Sequence, residues 1–163
     1  MKKFLYEFAY GMFSVSDEPV LFKDLLDANR LFNANRLVDP GRLNFQFRYA
    51  KSHVMFGVFC LFLLAPLIAL SHIFFSELDI HITIFVVVFA TAAVFISFDL
   101  FKVWARKKLT QKLIKDAWEV HFPYFPYEKY SNKVDEIYQS ARKKDLPKRD
   151  LEKYILDSLV KTS

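Results

Sequence analysis

Two long apolar stretches, Val54 to Phe75 and Ile80 to Phe101, are separated only by Ser76-Glu77-Leu78-Asp79. Between Val54 and Ser71 the sole ionisable side chain is the thiol of Cys60, and Ile82 to Phe98 has none. A hydrocarbon core of roughly 30 Å is crossed by about 20 apolar residues in a helix, so each run is long enough to span it. Hydrocarbon offers backbone N–H and C=O groups no partner, so a spanning segment must close its own hydrogen bonds, and an unbroken apolar run of this length does so as a helix. The short turn makes the two helices antiparallel neighbours. A membrane hairpin is the reading that constrains everything else.

A chain of 163 residues that commits so much of itself to two spans has little left for a large soluble core. Its 53% hydrophobic and 25% charged residues average over two different solvents. The expected fold is an all-α membrane protein: a two-span transmembrane helical hairpin, amphipathic N-terminal helices and a small C-terminal helical hairpin. The expected division is an amphipathic N-terminal region over 1–53, the hairpin over 54–101 with spans 54–75 and 80–101, and a helical tail over 102–163 with a Pro-aromatic segment at 121–127.

The placement of charge says more than the net value of +5. Arg30, Arg36, Arg42, Arg48 and Lys51 precede the first span, Lys102, Arg106, Lys107, Lys108, Lys112 and Lys115 follow the second, and the turn carries Glu77 and Asp79 with no base. By the positive-inside rule both termini are expected in the cytoplasm of a bacterial inner membrane, or on the matrix side of an organelle's. Met1-Lys2-Lys3 followed by Phe4 to Phe13 has the outline of a signal peptide. Glu7 interrupts it and no small-residue cleavage site comes before Ser16-Asp17-Glu18-Pro19, so the amino terminus is expected to be retained.

In the first segment Phe4, Leu5, Phe8, Met12 and Phe13 face away from Lys3, Glu7, Tyr10 and Ser14 at helical spacing. Such a helix either lies in the headgroup plane or packs on the protein's own cytoplasmic part. Ser16-Asp17-Glu18-Pro19 predicts the start of a second helix through Leu21, Leu25, Ala28 and Phe32. A six-residue echo, Ala28-Asn29-Arg30-Leu31-Phe32-Asn33 and Ala34-Asn35-Arg36-Leu37-Val38-Asp39, favours extended structure, where an even interval keeps arginines on one face. Asp39-Pro40-Gly41 predicts a turn, and the alternation of Leu43, Phe45, Phe47 and Tyr49 a short strand. Pro66 should kink the first span, and Gly57, Ala65 and Ala69 with Ala90, Ala93 and Ser97 permit close helix contact.

Beyond Phe101 the second helix is expected to continue through Leu109, Leu113, Ala117 and Val120 until Pro123 and Pro126 end it. Two short helices follow, one marked by Val134, Ile137, Tyr138 and Ala141 and one from Pro147 through Leu151, Tyr154, Ile155 and Leu159. This tail resembles the short carboxy-terminal helical hairpins appended to many bacterial membrane proteins, without their turn glycine; the resemblance implies no function.

Asp99 is the candidate intramembrane polar site, and Lys102, Lys51 or Arg48 would satisfy it locally. Lys102, Arg106, Lys107, Lys108 and Lys112 are candidate contacts for anionic lipid. Phe4, Phe8, Phe122, Tyr124, Phe125 and Tyr127 are candidate partner contacts, because exposing so many rings to water is costly. His72, Glu77, Asp79 and His81 gather around the turn without the spacing of a metal site, and His53 and His121 stand alone in sequence. No metal, cofactor or nucleic-acid partner is expected, since the chain has no glycine-rich phosphate loop, serine elbow, HExxH motif or nucleic-acid module.

The expected function is a non-enzymatic accessory, scaffold or assembly subunit of a larger membrane complex, with membrane lipids and other subunits or further copies of itself as partners. The alternative is a homo-oligomeric ion channel or small transporter, lined by Thr83, Thr91, Ser97 and Asp99. An interfacial enzyme built from Asp, Glu and His is a third class. Reporter fusions at the two ends are expected to report the same, translation-competent side of the membrane; opposite sides would refute the hairpin.

Overall fold

The computed structural model describes the backbone of residues 2–74 and 80–161, with side chains at 6–66, 68, 69 and 84–161. These described residues form a mostly helical protein. In chain order the elements are α1 (Lys2–Gly11), β1 (Phe13–Val15), α2 (Phe22–Asn33), a 3-10 turn (Pro40–Leu43), β2 (Phe45–Phe47), α3 (Tyr49–Phe74), α4 (Ile80–His121), α5 (Tyr127–Lys143) and α6 (Lys148–Val160). The chain groups into two compact units, one of residues up to 14 with 47–106, the other of 15–46 with 107 onward. Each unit joins segments far apart in sequence.

In the first unit α3 and α4 are each long and apolar enough to cross a membrane. Phe56 meets Phe95 and Phe98 with ring centroids 5.0 and 4.7 Å apart, and Val94 and Phe98 are buried between the helices. The aromatic face of α1 is used within the same unit. Tyr6 lies 5.8 Å from the Trp104 ring and Phe8 5.9 Å from Phe101, while Ala9 and Met12 are fully buried. Gly11 lies against α3, where a Cβ would come within 3.3 Å of the Met55 methyl. The expected first helix is therefore shorter at its end than its periodicity suggested: Phe13 and Ser14 belong to β1, and Phe13 packs edge-on to Phe47 at 5.5 Å.

β1 and β2 pair in a two-stranded sheet, and the backbone bonds Arg48 N to Met12 O and Ser16 N to Asn44 O make the pairing antiparallel. The sheet adds a small extended element to the expected all-α class. It also explains why α2 starts at Phe22 rather than near Ser16. Ser16 is tied to Asn44, whose side-chain amide donates to the Glu18 carbonyl at 3.0 Å, so the capping residues are held in an extended segment.

In the second unit α5 packs against both α2 and α6, and α2 also meets the 3-10 turn. Leu25, Leu26, Ile114, Trp118, Phe122, Val134, Ile155 and Leu159 form its core. Each fully buried aliphatic or aromatic side chain contributes about 1.5–3 kcal/mol. Trp118 holds the turn after α4: its indole N–H donates to the Phe125 carbonyl at 2.6 Å, and its ring contacts Phe122 at 4.5 Å and Tyr127 at 5.2 Å. The first half of the six-residue echo is helical, and Arg36 to Asp39 in the second half lie outside any helix. Ala28 to Asn33 lie in α2 and Arg42 in the 3-10 turn, so the even arginine spacing does not run along one extended strand.

α2 and α5 end alike. Asn35 and Asp145 take left-handed backbone at φ 55° and 52°, and the following residues donate back, Arg36 N to Leu31 O and Leu146 N to Ala141 O. These are Schellman endings in which an Asx residue stands where glycine is commonest. The tail's missing turn glycine is thus replaced by Asp145. A non-glycine residue there costs about 1–2 kcal/mol, partly offset by glycine's larger unfolded-state entropy. Asp145→Gly is expected to stabilise the second unit by about 0.5–1 kcal/mol, read as a higher thermal midpoint in detergent; a lowered midpoint would refute the cap assignment.

Candidate functional site

The most deeply built polar cluster lies in the second unit. Asp27, in the buried run Leu25 to Asn29 of α2, accepts a hydrogen bond from the Tyr138 hydroxyl at 2.8 Å and an ion pair from Arg42 at 2.6 Å. Asp24 takes the same guanidinium nitrogen at 3.4 Å. Asn29, with no exposed surface, donates to the Ser131 carbonyl at 2.9 Å. Burial and the Asp27 carboxylate push the Tyr138 phenol up to about 12. A carboxylate satisfied from both sides, with its donors drawn from the 3-10 turn and α5, is a clasp rather than a reactive group.

The Pro-aromatic segment divides between core and surface. Phe122 is 1% exposed and packs on Trp118, which corrects its expected role as a partner contact: the core of its own unit takes the ring. Phe125 packs edge-on to Tyr130 at 5.1 Å, and Tyr127, whose phenol burial raises above its ordinary value, meets Trp118. Lys115 bridges to Glu128 at 2.5 Å and holds that carboxyl below its usual range. Tyr124 alone stands out, 88% exposed. His121, isolated in sequence, sits within 2.8 Å of the Val20 carbonyl and edge-on to Phe22.

In the first unit most described side chains of α3 and of α4 up to Val103 point outward. Phe62 is 80% exposed and Phe85 and Phe89 each 77%. At one end of this surface Asp99 pairs with Lys102 at 2.6 Å, one turn along α4, as the local-satisfaction expectation required. The Lys102 ammonium also lies 5.3 Å from the centre of the Phe98 ring. His53, in the first turn of α3, has Nδ1 2.7 Å from the Tyr49 carbonyl, a contact in which the ring nitrogen must donate. These groups border a cavity of about 390 Å³ between the start of α3 and residues 95–102 of α4.

The remaining candidates are spread out. Lys107 donates to Asn35 at 2.5 Å and Lys112 pairs with Asp116 at 3.6 Å, so part of the basic run is engaged within the protein. Phe8 is turned onto Phe101. The Thr91 hydroxyl bonds back to the Val87 carbonyl at 2.8 Å. The Phe4, His72, His81 and Thr83 side chains and the turn with Glu77 and Asp79 lie outside the described residues. Among the described residues no group of His, Cys, Asp and Glu is arranged to hold a metal ion. Comparison with protein-family models, with curated proteins and with solved structures finds no match.

Sequence reasoning missed the Asp27 clasp. Its one visible signal is an aspartate amid Leu25, Leu26 and Ala28; in sequence its partners, Arg42 and Tyr138, carry the signals of a charged flank and an apolar helix position. Because the folded phenol binds its proton more tightly than the unfolded one, its contribution is complete below pH 10 and is lost as pH rises toward 12. Tyr138→Phe is expected to cost about 1.5–3 kcal/mol at neutral pH, the range for a hydrogen bond to a charged group. It should also flatten the loss of stability between pH 10 and 12 in alkaline unfolding curves; an unchanged alkaline slope would exclude the clasp as its source.

Proposed function

We propose that this protein is an integral membrane accessory, scaffold or assembly subunit of a larger membrane complex, without catalysis of its own. Its hairpin is embedded in a bacterial inner membrane and both termini are cytoplasmic. The observation that carries the reading is the outward-facing apolar surface of α3 and α4, whose large exposed rings such as Phe62, Phe85 and Phe89 need lipid or protein around them. Water is the wrong solvent for that surface. The helices close their backbone bonds internally, which is what a lipid solvent demands.

Two features support a partner. An open apolar cleft of about 700 Å³ between the helices is lined by Leu63, Phe85, Ala90, Ala93, Val94 and Ser97. Its small residues allow another helix to approach closely. Tyr124 offers a separate ring on the second unit. Asp99 closes on Lys102 beside it, which favours an anchoring carboxylate over a conducting one.

Photo-crosslinking probes placed at Ala93 and at Tyr124 in native membranes are expected to capture protein at both positions, and alkaline carbonate is expected to leave the chain in the membrane pellet. A monodisperse monomer with no crosslinked protein at either position would defeat the subunit reading. Release by carbonate would defeat the membrane reading itself.

A further inference from the structure

We infer that the cavity between the start of α3 and residues 95–102 of α4 binds a single zwitterionic phospholipid headgroup, with its ammonium set against Asp99 and its phosphate against Lys102. The inference rests on the membrane reading above and goes beyond it by assigning a site, a ligand class and a polarity.

The level of the cavity is decided by sequence. His53 is the last titratable residue before the apolar run that opens at Val54, and Asp99 is the first after the run that opens at Ile82. The cavity borders both residues, so it lies where both helices pass from hydrocarbon to headgroup. At about 390 Å³ it has the size of a small-molecule site, and it joins aromatic walls to a few converging polar groups, as such sites do.

The walls select the charge pattern. Asp99 and Lys102 stand 2.6 Å apart and present a carboxylate and an ammonium side by side. A headgroup with one net negative charge gains from Lys102 and loses to Asp99. One that carries a phosphate and an amine gains from both when its dipole runs antiparallel to theirs. The aromatic lining adds to the amine's side. Ring faces attract cations, and Lys102 already sits over Phe98 at 5.3 Å, while Tyr49, Phe56 and Phe95 line the same cavity. His53, held by Nδ1 against the Tyr49 carbonyl, borders the cavity beside Asp99.

The test uses the full chain purified in detergent, offered equal amounts of phosphatidylethanolamine and phosphatidylglycerol, with lipid adducts counted by native mass spectrometry. One bound phosphatidylethanolamine is expected, preferred about fivefold, the ratio that one partly exposed ion pair supplies. Asp99→Asn should abolish the preference by admitting phosphatidylglycerol, Asp99→Glu should keep it, and Lys102→Met should weaken retention of both lipids. The Asp99 side chain is 71% exposed, so the two Asp99 variants leave the helix packing in place. Free phosphoethanolamine at matched concentration is expected not to displace the lipid; displacement would overturn assignment to a lipid. Equal retention of the two lipids by the unaltered chain, or an undiminished preference in Asp99→Asn, would overturn the site. Those results, in a chain that alkaline carbonate fails to extract, overturn the site alone and spare the membrane reading.

Discussion

The rest of the structure depends on a change of surface along α4. α4 is one continuous helix from Ile80 to His121, yet it carries two kinds of surface. Over Ile84 to Val103 most apolar side chains face outward, with Val94 and Phe98 turned in; over Leu109 to Trp118 the apolar side chains form a single buried stripe, with Leu109, Ile114 and Trp118 inside. The first pattern suits a helix surrounded by lipid, the second a helix against a water-facing core. The basic run Arg106-Lys107-Lys108 stands between them.

Against that constraint, the second unit is held by what its surface segments share. Its N-terminal contribution, residues 15–46, carries α2 and the 3-10 turn. It joins the tail through apolar packing of α2 on α5 and through the Asp27 clasp, where one buried carboxylate takes donors from Arg42 and Tyr138. Apolar packing supplies the gross stability. The clasp adds geometry, because an ion buried with one partner missing is costly, so only the register that brings both donors to Asp27 is favourable.

Much of this was legible in advance. The apolar runs, the helix continuing past Phe101, the stop at Pro123 and Pro126 and the final helix after Pro147 all follow from length, period and the missing proline N–H. Errors fell where a local signal competed with a distant partner. Ser16 reads as a helix cap but is taken by Asn44, and the Ala28 to Asp39 echo reads as extended but its first half joins α2. Phe122 reads as surplus aromatic surface because the core that receives it is assembled from segments far apart in the chain.

The sequence by itself determined the helical class, the two spans long enough for a bilayer and the asymmetry of charge around them, since each depends on residue type and local spacing. Which rings are buried and which stand out, which arginine meets which aspartate, and that Asp99, Lys102 and His53 border one cavity were decided only by tertiary structure. Those are relations between residues remote in the chain, and periodicity carries no information about who the distant neighbour is.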